Sequence, residues 1–435
     1  MTSTPDSVAP APPAFQQIAT APAEIAGPVT KSDRITSIDM LRGVALLGIL
    51  LMNIQVFAMP GSAYMNPHSY GEMSGASYWV WYFTHLLASQ KFISIFSMLF
   101  GAGIVLMTTR AEQRTGRSAG VHYRRMMWLI LFGLLHAHLL WYGDILYTYG
   151  MCGLIVFLFR KLRPRWLIII GLVALMVPML SNLGFYGLYQ VIPEDAQQQW
   201  AEGMRTSWSP SDEITQEELE TYRGGWLEQM THRVPMALMF ETMMFAIWAG
   251  WLAGGLMLIG MALYKLGVFS ASRSTTTYIT LAVICIPIGL ALSLTHVYLL
   301  NTNDWPMMAG FHVYSNLHYW GAIIQSIGYV ALVMLFCKSG FFTWLQRALA
   351  DFGRMALTNY LLQTIICTTI FYGHGLGQFG HFSRVEQLIT VIIIWIAQLI
   401  LSPIWLRHFR FGPFEWLWRT LTYWRAQPLR GTRPA

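Results

Sequence analysis

Along most of its length the chain alternates apolar runs of about twenty residues with short polar breaks, the period of helices that cross roughly 30 Å of hydrocarbon. Ten such runs can be drawn, at 38–59, 83–108, 125–142, 144–160, 166–190, 236–264, 277–299, 317–337, 355–373 and 386–406. The third and fourth meet at Gly143-Asp144 with almost no connecting chain, which predicts an antiparallel helical hairpin. The predicted fold class is all-α: a polytopic membrane bundle of about ten transmembrane helices over 35–425. Residues 1–34, rich in Ala, Pro, Ser and Thr, read as a disordered cytoplasmic tail rather than a secretory signal. Residues 426–435 read as a second tail. One long polar insert interrupts the pattern, at 191–235. It reads as a solvated extracytoplasmic loop carrying a short surface helix, or as a lid over an acceptor site.

Composition narrows the class further. Of 435 residues, 55% are hydrophobic and only 11% charged, against about 25% charged in a soluble domain, which excludes a soluble enzyme. The 18 Trp and 20 Tyr suit aromatic belts at the two membrane interfaces. With the N-terminus inside, 23 of the 28 Lys and Arg residues fall on the cytoplasmic side and five outside. This bias predicts two cytoplasmic termini. It also accounts for the net charge of +7 through the membrane, so no nucleic-acid partner is expected. Cys152, Cys285, Cys337 and Cys367 lie inside apolar runs at no metal-ligand spacing and read as packing residues. No metal site, phosphate-binding loop or nucleophilic Ser elbow is recognisable.

An ionisable side chain at the bilayer centre costs about 2.5–3.5 kcal/mol on insertion scales, so the polar residues inside the runs hold the functional information. Asp39 and Arg42 share a helix face and can pair at the inner end of the first run. Asn53 lies roughly 16 Å deeper along the same helix. In the third run Gly133, His136, Leu140 and Gly143 recur at helical spacing, so His136 stands on a face of small residues that another helix can approach, and His138 points elsewhere. Asp144 opens the fourth run, as an N-cap or in a catalytic or proton-relay role. His85, Lys91, Glu241 and His296 occupy the outer portions of other runs and suggest a polar cavity. His136, Asp144 and Asn53 are the candidate catalytic residues; Asp39, Arg42, Lys91 and Glu241 are candidates for substrate binding.

The run from Arg34 through Asp39, Arg42-Gly43 and Gly48 to Asn53 resembles the start of the YeiB-like bacterial membrane proteins, the family labelled domain of unknown function 418. The likeness continues at Lys91–Gly103, at Gly133-Leu-Leu-His136 with Gly143-Asp144, at Gly353–Tyr360, at Tyr372–Gly377 and at Phe411–Arg419. The family is in turn distantly similar to the transmembrane acyltransferases. That resemblance implies a multi-pass protein of the bacterial inner membrane that moves an acyl group from cytoplasmic acyl-CoA to an extracytoplasmic glycan, lipid or small-molecule acceptor. It implies no covalently bound cofactor, and partners limited to the bilayer, the donor and the acceptor. Acyltransferase-3 proteins place a His after Arg and ten intervening residues, a position held here by Asn53. Asn is no general base, so either another group such as His136, oriented by Asp144 or another carboxylate, takes that role, with Arg42 on the CoA phosphates and Asn53 donating to the acyl carbonyl, or the acyl-transfer chemistry has been lost. The alternative is a transporter in which Lys91, His136, Asp144, Glu241 and His296 line a substrate or proton path.

Overall fold

Short capping signals start several of the apolar runs as helices. Ser274 accepts a bond from the Thr277 amide, and Ser383 and Glu386 form a reciprocal capping box. A computed structural model describes residues 36–430; the tail expected at 1–34 lies outside the described residues. In chain order the helices are α1 (Thr36–Ala58), α2 (Ser62–Met65), α3 (Gly75–Leu87), α4 (Lys91–Thr115), α5 (Ala119–Leu139), α6 (Leu146–Val156) and α7 (Pro164–Val191). There follow α8 (Glu194–Trp208), α9 (Asp212–Arg223), α10 (Met230–Met239), α11 (Gly250–Lys265), α12 (Thr275–Thr302), α13 (Met307–Ala309) and α14 (Ser315–Ser339). The last four are α15 (Thr343–Arg354), α16 (Ala356–Phe371), α17 (Arg384–His408) and α18 (Pro413–Tyr423). π-helical turns at Phe240–Ala249 and Gly310–Tyr314 join α10 to α11 and α13 to α14.

All ten apolar runs are largely helical, and among the described residues seven helical stretches are long and apolar enough to cross a membrane. Two of the remaining runs fold as the shorter apolar helices Leu146–Phe159 and Ala356–Phe371, and the third is α5. The run at 83–108 is not one continuous helix. Gln90 adopts a φ of +61° between α3 and α4, so Lys91 opens a new helix instead of standing within one. Residues 425–430 fold back towards the end of α17, where Phe409 and Arg430 form an isolated antiparallel bridge.

Lipid offers no hydrophobic drive for one helix to seek another, so close packing must supply it. Glycines do so here. A Cβ on Gly260 would overlap the Met98 carbonyl, one on Gly101 the Met257 carbonyl, and one on Gly353 the Asp39 carbonyl. These contacts bring α4 against α11 and α15 against α1 at backbone distance. α1 is the centre of the bundle, packed by α4, α15, α16 and α17, whereas α7, α12 and α17 leave most of their apolar length exposed. Residues such as Val173, Val283 and Ile393 on those helices form the lipid-facing surface.

The insert folds as two helices, α8 and α9, more order than one short surface helix. α9 is docked: Leu219 and Tyr222 are buried, Tyr222 packs on Tyr372 and Phe379, and Arg223 Nε donates to the Phe379 carbonyl at 2.8 Å. Glu218 of α9 accepts the Gly61 amide at 3.0 Å. Burial pushes its carboxyl up from 4.5 to about 7, with that bond opposing.

Two outcomes follow. Gly260→Ala forces α4 and α11 apart and should destabilise the detergent-solubilised protein by about 1–3 kcal/mol, while Gly103→Ala, which meets open space, leaves thermal unfolding unchanged. The folded state holds the Glu218 proton more tightly than the unfolded chain, so stability falls as pH rises from 4.5 to about 7 and stays low above. The loss is on the order of 3 kcal/mol. Glu218→Gln should remove that slope from the pH dependence of the melting temperature.

Candidate functional site

The hairpin between α5 and α6 brings two of the candidate catalytic residues together. His136 Nδ1 lies 2.8 Å from Asp144 Oδ1, and both side chains are almost fully enclosed, at 1% and 2% exposure. Gly133 makes the approach possible, since a Cβ there would overlap the Tyr147 amide and crowd Asp144 Oδ2. Asp144 uses both oxygens: Oδ1 meets the histidine, while Oδ2 accepts the Tyr147 amide at 2.7 Å in the first turn of α6, the contact expected of an N-cap.

The second imidazole nitrogen is also engaged. His136 Nε2 lies 2.9 Å from Thr364 Oγ1 on α16. A carboxylate can only accept, so Nδ1 carries the proton in the neutral ring and Nε2 accepts from the threonine hydroxyl. The three groups form a hydroxyl–imidazole–carboxylate chain, the nucleophile–base–orienter order of acyl-transfer sites. Thr364 stands 228 residues from His136, and nothing in its local sequence marks it.

Asp39 and Arg42 pair at 2.8 Å and line a cavity of ≈ 240 Å³. Its walls combine Arg42, Arg110, Arg125, Arg354 and Arg419 with Asp39 and Glu415, and beyond them an apolar throat runs past Leu46, Ile49, Leu99 and Phe100 to Tyr149 and Tyr360. Tyr360 separates the cavity from the buried dyad, its ring centroid 5.2 Å from that of His136. Its hydroxyl is enclosed, with only a weak contact to the Ile145 backbone. α18 closes one side. Arg125 stacks over Trp418 at 4.1 Å, and Trp418 Nε1 donates to the Arg125 carbonyl at 3.0 Å.

Glu415 holds α18 to the start of α16. It accepts the Leu357 and Thr358 amides at 2.6 and 3.0 Å and the Thr358 hydroxyl at 2.5 Å, capping a helix N-terminus from a distant segment. Burial raises its carboxyl, and these bonds act against that rise. The cavity therefore keeps a surplus of guanidinium charge.

The other candidates separate. Asn53 is half-buried on α1, outside both the His136 chain and the cavity walls. Glu241 pairs with His138 Nε2 at 3.1 Å, which accounts for the different direction of that histidine. Lys91, fully buried, donates to the His85 carbonyl at 3.1 Å, in a separate group with His296 and His318.

An all-helical bundle with seven membrane-length apolar helices and a buried polar centre defines a multi-pass membrane protein. Residues 263–425 match the family model described as "Protein of unknown function (DUF418)". "Uncharacterized protein YeiB" of Escherichia coli (strain K12) is 37% identical over 406 residues, 91% of this chain and 98% of that protein. "Uncharacterized protein YxaH" of Bacillus subtilis (strain 168) is 30% identical over 427 residues, 92% and 97% respectively. The chain belongs to the DUF418 family.

Glu415→Ala should leave the two α16 amides unsatisfied and cost about 1–3 kcal/mol. In hydrogen exchange, the added uptake should concentrate at the amides of 356–359 and in α18.

Proposed function

We infer that the protein is a membrane acyltransferase, taking an acyl group from a CoA thioester and passing it to an extracytoplasmic hydroxyl or amine. The observation that carries this reading is the cavity: an arginine-lined mouth, an apolar throat, and the His136–Asp144 pair behind its end at Tyr360. Guanidinium groups suit the phosphates of the donor, and the throat suits the acyl chain and thioester. We place the protein in the bacterial inner membrane with ten spans, both termini and the arginine mouth cytoplasmic.

In this mechanism the acceptor replaces Thr364 at His136 Nε2. Its oxygen or nitrogen attacks the thioester carbonyl, a C–O or C–N bond forms, and the C–S bond breaks. His136 takes the acceptor proton and returns it to the departing thiolate, while Asp144 holds the ring through Nδ1. Tyr360 Oη, held only by a weak contact to the Ile145 backbone, donates to the carbonyl oxygen as charge develops there. It takes the part expected of Asn53.

CoA and acyl-CoA should raise the melting temperature of the purified protein, because they bind only the folded state. Arg42→Gln or Arg419→Gln should weaken that binding roughly tenfold or more. Transfer of labelled acyl groups from acyl-CoA to envelope extracts should fall roughly 100- to 10,000-fold in His136→Ala. Full transfer by His136→Ala, or no thermal response to any acyl-CoA, would discard the proposal.

A further inference from the structure

Three imidazoles converge at the ends of helices remote from the arginine cavity: His85 near the end of α3, His296 near the end of α12 and His318 in the first turn of α14. Their ligand nitrogens all lie within 4.8 Å of one another. The His85 and His318 rings stack at 4.1 Å, and His296 is 5.5 Å from each. His296 and His318 are 7% and 3% exposed.

Their nitrogens lack what a packed histidine normally has. A neutral imidazole presents one N–H and one lone pair, and burial without partners leaves both desolvated and unsatisfied. His122 answers with the Gly153 carbonyl at 2.9 Å, and His136 with Asp144 and Thr364. In the trio, His85 Nε2 and His296 Nδ1 are enclosed with no hydrogen-bond partner, and His318 meets only the Ser89 backbone, outside good hydrogen-bond geometry. One nitrogen from each ring lies in the same small space, an arrangement that calls for an electrophile that accepts lone pairs.

The three rings also sit on rigid supports. α12 and α14 touch through glycine, since a Cβ on Gly289 would lie 2.5 Å from the Gly321 carbonyl and one on Gly321 2.8 Å from that of Gly289. This seam lies one to two turns from His318 and His296. The end of α3 is tied to α14 by Tyr329 Oη, which donates to the Leu87 carbonyl at 3.0 Å, and to α4 by Lys91 Nζ on the His85 carbonyl.

We propose that His85, His296 and His318 form a binding site for a borderline transition-metal ion of the Zn²⁺ class, independent of the acyl-transfer centre. Imidazole nitrogen is the donor this class takes most readily. Four-coordinate Zn–N bonds of about 2.0–2.1 Å need nitrogens roughly 3.4 Å apart, so the widest pair draws in by a little over an ångström, within reach of ring rotation. A cavity of ≈ 650 Å³ lined by Asn66, His68, Asp304 and Trp305 lies nearby, with Trp305 packed on Trp81 and Trp81 stacked on His85 between it and the trio. Lys91 opposes the ion by charge, and an anion or water would serve as the fourth ligand.

The test uses the full chain purified in detergent, stripped with a chelator, reloaded with Zn²⁺ and desalted. Wild type should retain about one equivalent by mass spectrometry and melt at a higher temperature than the stripped form. His296→Gln, His318→Gln and their double variant should retain at least about tenfold less, while His122→Gln keeps the full equivalent. Co²⁺-loaded wild type gives a readout that needs no variant: visible absorption of a four-coordinate nitrogen site, without thiolate charge transfer. Negligible retention by reloaded wild type, equal retention by wild type and the double variant, or a Co²⁺ spectrum showing only the solvated ion would each overturn the proposal.

Discussion

Helices that share a bilayer gain nothing from hiding apolar surface from one another, because the lipid is as apolar as they are. This bundle holds together where backbone meets backbone, at Gly101 and Gly260 between α4 and α11, at Gly43 and Gly353 between α1 and α15, and at Gly289 and Gly321 between α12 and α14. At each crossing the absence of a side chain lets dispersion contacts and weak Cα–H bonds accumulate. The polar features depend on these crossings. Gly133 admits Asp144 to His136, and the Gly289–Gly321 seam sets the spacing of His296 and His318.

The same economy governs charge. Polar groups in the interior are gathered into small closed sets: the His136–Asp144–Thr364 chain, the His138–Glu241 pair, and Glu415 on the α16 amides. Most of their members are satisfied locally, as hydrocarbon surroundings require, although Glu241 Oε1 keeps no partner. The cavity beside α18 departs from this pattern, with more guanidinium than carboxylate on its walls, and so does the histidine trio. On the two proposals made above, a ligand completes each.

Much of this was legible along the chain because it is local. Apolar runs predicted the helices, and the Gly133–His136–Gly143 spacing beside a short turn predicted a hairpin that now holds the His136–Asp144 contact. Information carried by distant segments was not legible. Thr364 and Tyr360 meet His136 only through tertiary packing, and His318 has no mark until α12 and α14 close on each other. The break at Gln90 falls in the polar triplet Ser89-Gln90-Lys91, but its left-handed backbone, which ends one helix and starts the next, carries no signature in the residue types. Asn53 illustrates the converse error. A position matched by spacing within one helix can still face away from the groups it was expected to join, because rotation about the helix axis is set by neighbours.

Glu415 and its helix bear on how the protein is made. Every other wall of the arginine cavity comes from chain that leaves the ribosome before α18, and the amides at the head of α16 wait without their cap until residue 415 has been added. The side contributed by α18 is thus the last to be made. A chain stopped just short of α18 would carry the full His136–Asp144 dyad beside a cavity still open on that side, so the enclosure of the cavity depends on the end of synthesis.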